Sequence, residues 1–116
     1  MESKKIKKTK NNKKIKPLHC PVTEAVNLLK GRWRLPIIYS LMDGKKRFKE
    51  LERSITGINT RMLVKELKAL QNEQFITRKA YPTVPPKVEY ALTEKGESLD
   101  TVIDAIKSWS LEHLRD

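Results

Sequence analysis

Residues 59–72 read NTRMLVKELKALQN, a stretch whose apolar residues recur at helical spacing. Leu63, Leu67 and Leu70 stand at i, i+4 and i+7, so they predict the buried side of a helix. Asn59 is a suitable N-cap for this helix. The side opposite the leucines carries cations and an amide and no carboxylate: Arg61, Lys65, Lys68 and Asn72. This face suits the major groove of DNA, since Arg bonds guanine bidentately and Lys binds phosphate or a base edge.

The segments around this recognition helix predict a winged helix-turn-helix, an α+β fold that is mainly α. A two-stranded wing and terminal dimerisation helices complete it. The expected elements are a helix from Pro21 to about Gly31, a helix over 33–42, an extended piece at 46–47, a helix over 48–55, strands over 75–81 and 88–92, and a final helix capped by Thr93. We expect that final helix to run for about 20 residues, or about 30 Å.

Positive charge is concentrated in two parts of the chain. Residues 1–16 hold eight Lys against one Glu, and residues 45–87 hold eleven Lys and Arg against four Glu, a net charge of +7 for each segment. Residues 88–116 hold three Lys and Arg against seven Asp and Glu, a net charge of −4. A basic middle and an acidic end predict one face that meets a polyanion and another that points elsewhere.

Candidate DNA-binding residues come from three elements. The recognition helix offers Asn59, Thr60, Arg61, Lys65 and Lys68, with Thr60, Arg61 and Lys65 expected at base edges. The start of the third helix and the wing offer flanking contacts from Lys45, Lys46, Arg47, Lys49, Lys79, Pro85, Pro86 and Lys87. A Lys-rich face alone is typical of any solvated helix, but three basic elements together favour nucleic acid.

The first 16 residues form a different kind of segment from the rest. They contain few large apolar residues, so we expect a disordered Lys-rich arm over 1–16 and a folded domain over 17–116. The arm is either a solubilising tail or a source of additional phosphate contacts.

The last helix predicts a homodimer. Its apolar stripe is longer than a domain of this size covers by itself, and a second copy is the simplest partner. The first helix either folds over this stripe within one chain or joins it in the interface. Candidate interface residues are Val26, Leu29, Leu99, Val102, Ile103, Ile106, Trp109 and Leu114.

Cys20, the only cysteine, directly precedes Pro21 at the start of the first helix. The helix N-terminus and nearby Lys16 would favour the thiolate, which makes Cys20 a candidate thiol sensor. The alternative is a small buried hydrophobic residue. With His19 and His113 as the only histidines, neither a metal site nor a Cys-His catalytic pair is supported.

Several classes of protein are disfavoured by composition. The 116 residues suit one domain. No apolar run approaches the roughly 20 residues of a membrane span, and the basic N-terminus lacks the apolar stretch of a secretory signal. A single cysteine suits the reducing cytoplasm. No glycine pattern for a nucleotide cofactor is present, so we expect no cofactor and no enzymatic activity.

The chain resembles the HxlR-type winged helix regulators over about residues 18–110. The matching motifs are Cys20-Pro21-Val22, Gly31-Arg32-Trp33, Arg47-Phe48-Lys49-Glu50-Leu51, Gly57-Ile58-Asn59, Met62-Leu63, Leu67-Lys68-Ala69-Leu70, Tyr81-Pro82-Thr83-Val84-Pro85-Pro86-Lys87-Val88-Glu89-Tyr90 and Leu92-Thr93-Glu94-Lys95-Gly96. The resemblance implies a MarR-like fold and homodimers that bind pseudopalindromic promoter DNA. It also implies that the cysteine matching Cys20 can sense oxidants or electrophiles. Arg32, where a lysine is common, and the Lys-rich arm depart from the pattern.

The sequence therefore predicts a transcriptional regulator that binds double-stranded DNA specifically, with Cys20 as a candidate switch for an oxidant or electrophile effector. Two alternatives stay open. One is an architectural protein that binds DNA without sequence preference. The other is a winged-helix module that binds a protein partner.

Overall fold

The computed structural model describes residues 20–115; the predicted arm over 1–16, Lys16 and His19 lie outside this range. The chain divides between Lys30 and Gly31 into two compact units, which we describe separately. Within residues 20–115 it forms six helices and two strands. This architecture confirms the prediction of a mainly helical winged helix-turn-helix.

Helix α1, Pro21–Leu29, belongs to the first unit. Cys20 is its N-cap and Pro21 stands in its first turn, where a missing N–H removes no helical hydrogen bond. The backbone N–H of Glu24 donates to the carbonyl of Cys20 at 2.9 Å, which closes the first turn. No residue of α1 is buried, although the helix is apolar along one side.

Three helices form the centre of the second unit: α2 over Arg34–Ser40, α3 over Phe48–Ser54 and α4 over Thr60–Asn72. Helix α2 ends two residues before the predicted boundary, and Leu41 remains buried in the turn that follows. The buried apolar side chains of this unit come from all three helices, the strands and the last helix: Ile37, Ile38, Leu41, Leu51, Ile55, Leu63, Leu67, Leu70, Phe75, Ile76, Tyr90 and Ile103.

The wing is an antiparallel pair, β1 over Ile76–Tyr81 and β2 over Lys87–Leu92. The predicted extended piece at 46–47 is present as an isolated antiparallel bridge between Lys46 and Tyr90. Its two backbone hydrogen bonds, at 2.9 and 2.8 Å, join the connection before α3 to the base of the wing. The wing is thereby attached to the helix-turn-helix by main-chain bonds.

The prediction of one long final helix capped by Thr93 is wrong. Thr93 caps α5, which spans only Glu94–Glu97, and after a turn at Ser98 and Leu99 the chain resumes as α6 over Asp100–His113. At 1.5 Å per residue, α6 is about 21 Å long.

The break follows from packing that a helical pattern does not reveal. A side chain at Gly96 would place its Cβ 2.3 Å from the carbonyl oxygen of Phe75, so α5 lies directly against the start of the wing. The Ser98 hydroxyl then donates to the carbonyl of Lys95 at 2.6 Å. Such local bonds of serine compete with helix continuation.

No helix within residues 20–115 combines the length and apolar character needed to cross a membrane.

Candidate nucleic-acid interface

Helix α4 presents its basic side to solvent. Leu63, Leu67 and Leu70 are buried, which confirms the predicted inner side. The outward side chains are all exposed: Arg61, Lys65, Lys68 and Asn72. A helix held by three leucines with cations on its free side can enter a groove without unfolding any part of the core.

The N-terminus of α4, where base contacts are expected, is fixed by two side chains. Asn59 accepts a hydrogen bond from the backbone N–H of Met62 at 2.8 Å. The Thr60 hydroxyl donates to the carboxylate of Glu52 on α3, so α3 sets the position of Thr60. Sequence reasoning found Asn59 and Thr60 but missed Glu52, because its partner is fixed only by the turn between the helices.

Behind α4 lies an ion-pair cluster that was not predicted. The Arg34 guanidinium on α2 is 3.4 Å from the carboxylate of Glu66 and 2.9 Å from that of Glu73. The Arg34 and Glu66 side chains are only 15% and 16% exposed, so water screens this contact weakly. The cluster ties α2 to the middle and end of α4 and so fixes the orientation of the recognition helix.

The four bases before and within the start of α3 differ in their surroundings. Arg47 and Lys49 are exposed. The Lys46 ammonium donates to the carbonyl of Ser40 at 2.7 Å and to the carboxylate of Asp43 at 2.5 Å. The hydrogen bond from Lys46 to the Asp43 carboxylate, together with the charge of Lys46, holds the pKa of Asp43 below its ordinary value. Of the four, Lys46 is therefore the one most engaged within the protein, and Lys45 pairs with the wing.

One face of the wing gathers an aromatic ring and three charges. The ammonium groups of Lys79 and Lys87 lie 5.2 and 4.8 Å from the centre of the Tyr81 ring, within reach of a cation–π contact. Glu89 stands opposite Lys79 in the register of the two strands. Its carboxylate is 3.4 Å from the Lys45 ammonium, which links the wing to the segment before α3.

The opposite face of the wing supplies a cation that sequence reasoning missed. Arg78, exposed on β1, lines a groove of about 470 Å³ together with Lys68 of α4 and Tyr90 of β2. The signal was available, since Arg78 alternates with Lys79 and must point to the other side of the strand. The groove brings the C-terminal part of the recognition helix and the wing to one surface.

The tip of the wing is a proline-rich loop. Pro85 and Pro86 are exposed, and Val84 is fully exposed. The Thr83 hydroxyl donates to the carbonyl of Pro85 at 2.7 Å and closes the loop. Pro86 also lines a cavity of about 500 Å³ with Arg47 and Lys49. Residues of the wing tip and of the start of α3 therefore line the same cavity.

We use the name basic surface for the solvent-accessible cations of α4, of the segment before α3, of the start of α3 and of both faces of the wing. They are Lys45, Arg47, Lys49, Arg61, Lys65, Lys68, Arg78, Lys79 and Lys87.

Cys20 is exposed at the N-terminus of α1. The backbone and the hydroxyl of Thr23, and then the backbone of Val22, lower the pKa of the Cys20 thiol. The Cys20 side chain does not form an N-cap hydrogen bond with the first turn of α1. In the isolated chain the thiol is accessible and its thiolate is favoured, as a thiol sensor requires.

The apolar stripe of α6 is largely uncovered in the isolated chain. Of the predicted interface residues on this helix, Ile103 is buried, whereas Val102, Ile106 and Trp109 are 41%, 49% and 57% exposed. Leu99 is half-buried in the turn before α6, and Leu114 at its end is exposed. In the other unit, Val26 is exposed and Leu29 is half-buried.

Among residues 20–115, no group of His, Cys, Asp and Glu side chains is arranged to hold a metal ion.

Comparison with known proteins identifies the family. Residues 28–116 match the HxlR-like helix-turn-helix family. An HTH-type transcriptional regulator from Methanothermobacter thermautotrophicus is 46% identical over 90 residues, which are 78% of this chain and 69% of the relative.

Two solved structures share the fold. A MarR-family transcriptional regulator from Porphyromonas gingivalis W83 has a TM-score of 0.81 and 40% identity, over 87% of this chain and 99% of that one. The oxidised form of the redox regulator HypR has a TM-score of 0.77 and 39% identity, over 84% of this chain and 99% of that one. These relatives are regulators, which confirms that the chain is not an enzyme. The chain belongs to the HxlR-like helix-turn-helix family and is a DNA-binding transcriptional regulator.

Proposed function

We propose that the protein is a homodimer that binds a pseudopalindromic promoter site in double-stranded DNA. Thr60, Arg61 and Lys65 would contact base edges in the major groove, where the N-terminal part of a recognition helix lies in this motif. Asn59 starts that helix, and Lys68 would meet the phosphate backbone. Cations on the start of α3 and on the wing would contact flanking phosphates or the minor groove. The protein would act in the cytoplasm, with the DNA that it binds.

The observation that carries this proposal is the convergence of cations from separate elements on the basic surface. Lys68 and Arg78 line one groove, Arg47 and Pro86 line one cavity, and Lys45 reaches the wing through Glu89. Positive charge that served only solubility would be expected to spread over the surface. Here it is concentrated around an exposed recognition helix, as in proteins that bind nucleic acid.

The uncovered stripe of α6 supports the homodimer. Ile106 and Trp109 expose about half of their surface on a helix whose remaining side is polar, and α1 has no buried residue of its own. Twofold pairing would cover these apolar surfaces. It would also place two copies of α4 one DNA turn apart, as a palindromic site requires.

The accessible Cys20 thiol supports regulation by an oxidant or electrophile. An electrophile would form a bond to the sulfur as the thiol proton is released. An oxidant such as hydrogen peroxide would accept two electrons as two Cys20 thiols, one from each copy, lose two protons and join as a disulfide. The likeness to the redox regulator HypR favours this reading. Modification at the start of α1 would change the dimer and thereby the angle between the two recognition helices.

We propose that the domain extends over 17–116 and that the arm over 1–16 adds phosphate contacts. Removal of residues 1–14 should weaken binding to every duplex alike and make its salt dependence shallower. An unchanged salt dependence would contradict the role of the arm.

Binding of the reduced protein to duplex DNA from upstream of its own gene, compared with a scrambled duplex across a salt series, tests the proposal. A preference of about 10³-fold or more is expected for a specific regulator. Equal affinity for the two duplexes, with steep salt dependence, would favour architectural binding. Absence of binding to any duplex would favour the protein-interaction module.

A further inference from the structure

One acidic side chain lies within the basic surface. The carboxylate of Glu89 is 3.4 Å from the Lys45 ammonium and 4.0 Å from the Lys87 ammonium. The Glu89 side chain is only 15% exposed, whereas that of Lys45 is 64% exposed. The acid is therefore placed beneath the cations, which keep their outward access to a polyanion.

Glu89 stays ionised in this position. Partial burial opposes its ionisation, but the Tyr81 hydroxyl, followed by Lys45 and Lys87, outweighs burial and holds the pKa of Glu89 below its ordinary value. At neutral pH the carboxylate therefore carries a full negative charge beside the Lys45 and Lys87 ammonium groups of the basic surface.

The position of Glu89 also has a structural consequence. Its neighbour Tyr90 forms the main-chain bridge with Lys46, and its carboxylate pairs with Lys45 on the same segment. The backbone bridge and the ion pair connect the same two parts of the chain. The wing cations are thus held at one distance from the start of α3 before any DNA binds.

We propose that Glu89 is a specificity-determining residue of the DNA interface, which holds the wing in place and cancels part of its attraction for phosphate of any sequence. This inference rests on the proposed function, since it concerns the ratio between specific and non-specific binding. In a specific complex the base contacts of α4 fix how the protein lies on the duplex, whereas a non-specific complex settles where phosphate attraction is greatest. The negative charge of Glu89 therefore lowers non-specific affinity more than it lowers specific affinity.

The effect should be visible in the salt dependence of binding. Each additional phosphate that a protein neutralises steepens the slope of log affinity against log salt by about 0.9. Loss of the Glu89 charge frees Lys45 and Lys87 to act on phosphate. We therefore expect Glu89→Gln, which retains an oxygen that can accept from Tyr81, to steepen the slope on a scrambled duplex by about 1 to 2.

The experiment measures binding of the full chain to a scrambled duplex and to upstream duplex DNA between 50 and 200 mM salt, on the order of the physiological range. We expect Glu89→Gln to bind the scrambled duplex about three- to tenfold more tightly at the lower salt concentration and to lose part of its preference for the upstream duplex. Glu89→Asp, which retains the charge, should keep a slope close to that of the unmodified protein.

Two further variants isolate the contribution of the site. Glu112→Gln makes the same change of charge on α6, outside the basic surface, and should leave the slope unchanged. Adding Lys45→Gln to Glu89→Gln should restore much of the original slope if Lys45 is the cation that Glu89 balances. Equal slopes for Glu89→Gln and Glu112→Gln would overturn the inference, and so would an unchanged slope in Glu89→Gln.

Failure of the inference and failure of the proposed function give different results. If the unmodified protein prefers the upstream duplex and Glu89→Gln binds both duplexes as before, only the inference is overturned. If the unmodified protein binds neither duplex, the proposed function fails, and the role of Glu89 fails with it.

Discussion

The side-chain oxygen of Asn59 lies 2.8 Å from the backbone nitrogen of Met62, and this hydrogen bond fixes the residue at which α4 begins. The first turn of a helix has N–H groups without helical partners, and an N-cap side chain satisfies one of them.

Replacement of this cap should therefore destabilise the recognition helix. We expect Asn59→Ala to lower the free energy of unfolding by about 1 kcal/mol. In a domain of this size the loss corresponds to a decrease in melting temperature of about 4–8 °C. Thermal denaturation followed by circular dichroism measures it. Asn72→Ala makes the same change at the exposed end of α4 and should change stability by less than about 0.5 kcal/mol; equal effects at both positions would contradict the capping role.

Arg61 is expected to discriminate between DNA sequences. It is exposed in the first turn of α4, where a guanidinium can bond a guanine bidentately. We expect Arg61→Ala to weaken binding to the specific site by about 1–3 kcal/mol and to relax sequence preference. Titration against the specific and scrambled duplexes measures both quantities.

The control for Arg61 is Arg115→Ala, which removes the same charge at the end of the described chain. It should affect both duplexes little. Similar losses of affinity on the specific and scrambled duplexes for Arg61→Ala would show that Arg61 binds phosphate and does not read bases.

Ile106 should be important for assembly and not for folding. Its side chain is 49% exposed on α6, so a charge there disturbs little within one chain. In a twofold interface the same charge would be buried without a partner. We expect Ile106→Glu to raise the dimer dissociation constant at least about 100-fold, as measured by sedimentation. Ser108→Glu, on the opposite side of α6, should leave the dimer intact. A dimer that persists in Ile106→Glu would place the interface elsewhere.

The reactivity of Cys20 should depend on pH in a defined direction. Because its pKa is lowered, the thiolate fraction at neutral pH exceeds that of an ordinary cysteine, and alkylation by iodoacetamide should be faster. Thr23→Val removes the hydroxyl contact, which should raise the pKa and slow alkylation at pH 7 by about two- to threefold. Above the pKa of both proteins the two rates should converge. Equal rates at pH 7 would show that Thr23 does not influence the thiol.

Local sequence signals predicted those parts of the fold whose structure depends on neighbouring residues. The predicted burial of the three leucines of α4 and the predicted N-cap at Asn59 are confirmed, because periodicity and capping act within one helix. The division into α5 and α6 was missed because it depends on the approach of Gly96 to the carbonyl of Phe75, 21 residues away in sequence. A helical stripe contains no information about that contact.

The candidate interface shows the same division. The outward cations of α4 follow from the helical period, and the structure presents them to solvent. The acids that fix the groups around these cations were missed, since Glu52, Glu66 and Glu89 acquire their partners from other elements. The count of charges treats Glu52 and Glu66 as subtractions from the basic segment and Glu89 as part of the acidic end. Only the fold reveals that they position Thr60, Arg34 and Lys45.

The bridge between Lys46 and Tyr90 consists of main-chain hydrogen bonds, which depend on spacing and not on the identity of either side chain. The connection from Leu41 to Lys45 must therefore deliver the backbone of Lys46 to the wing in one register. Side chains of this connection also have defined roles: Leu41 is buried, Asp43 pairs with Lys46, Lys45 pairs with Glu89, and the φ of +132° at Gly44 suits glycine. An insertion or deletion of one residue would shift the register and reverse the side chains at the bridge. The bridge thus fixes the length of this connection independently of what its side chains contact.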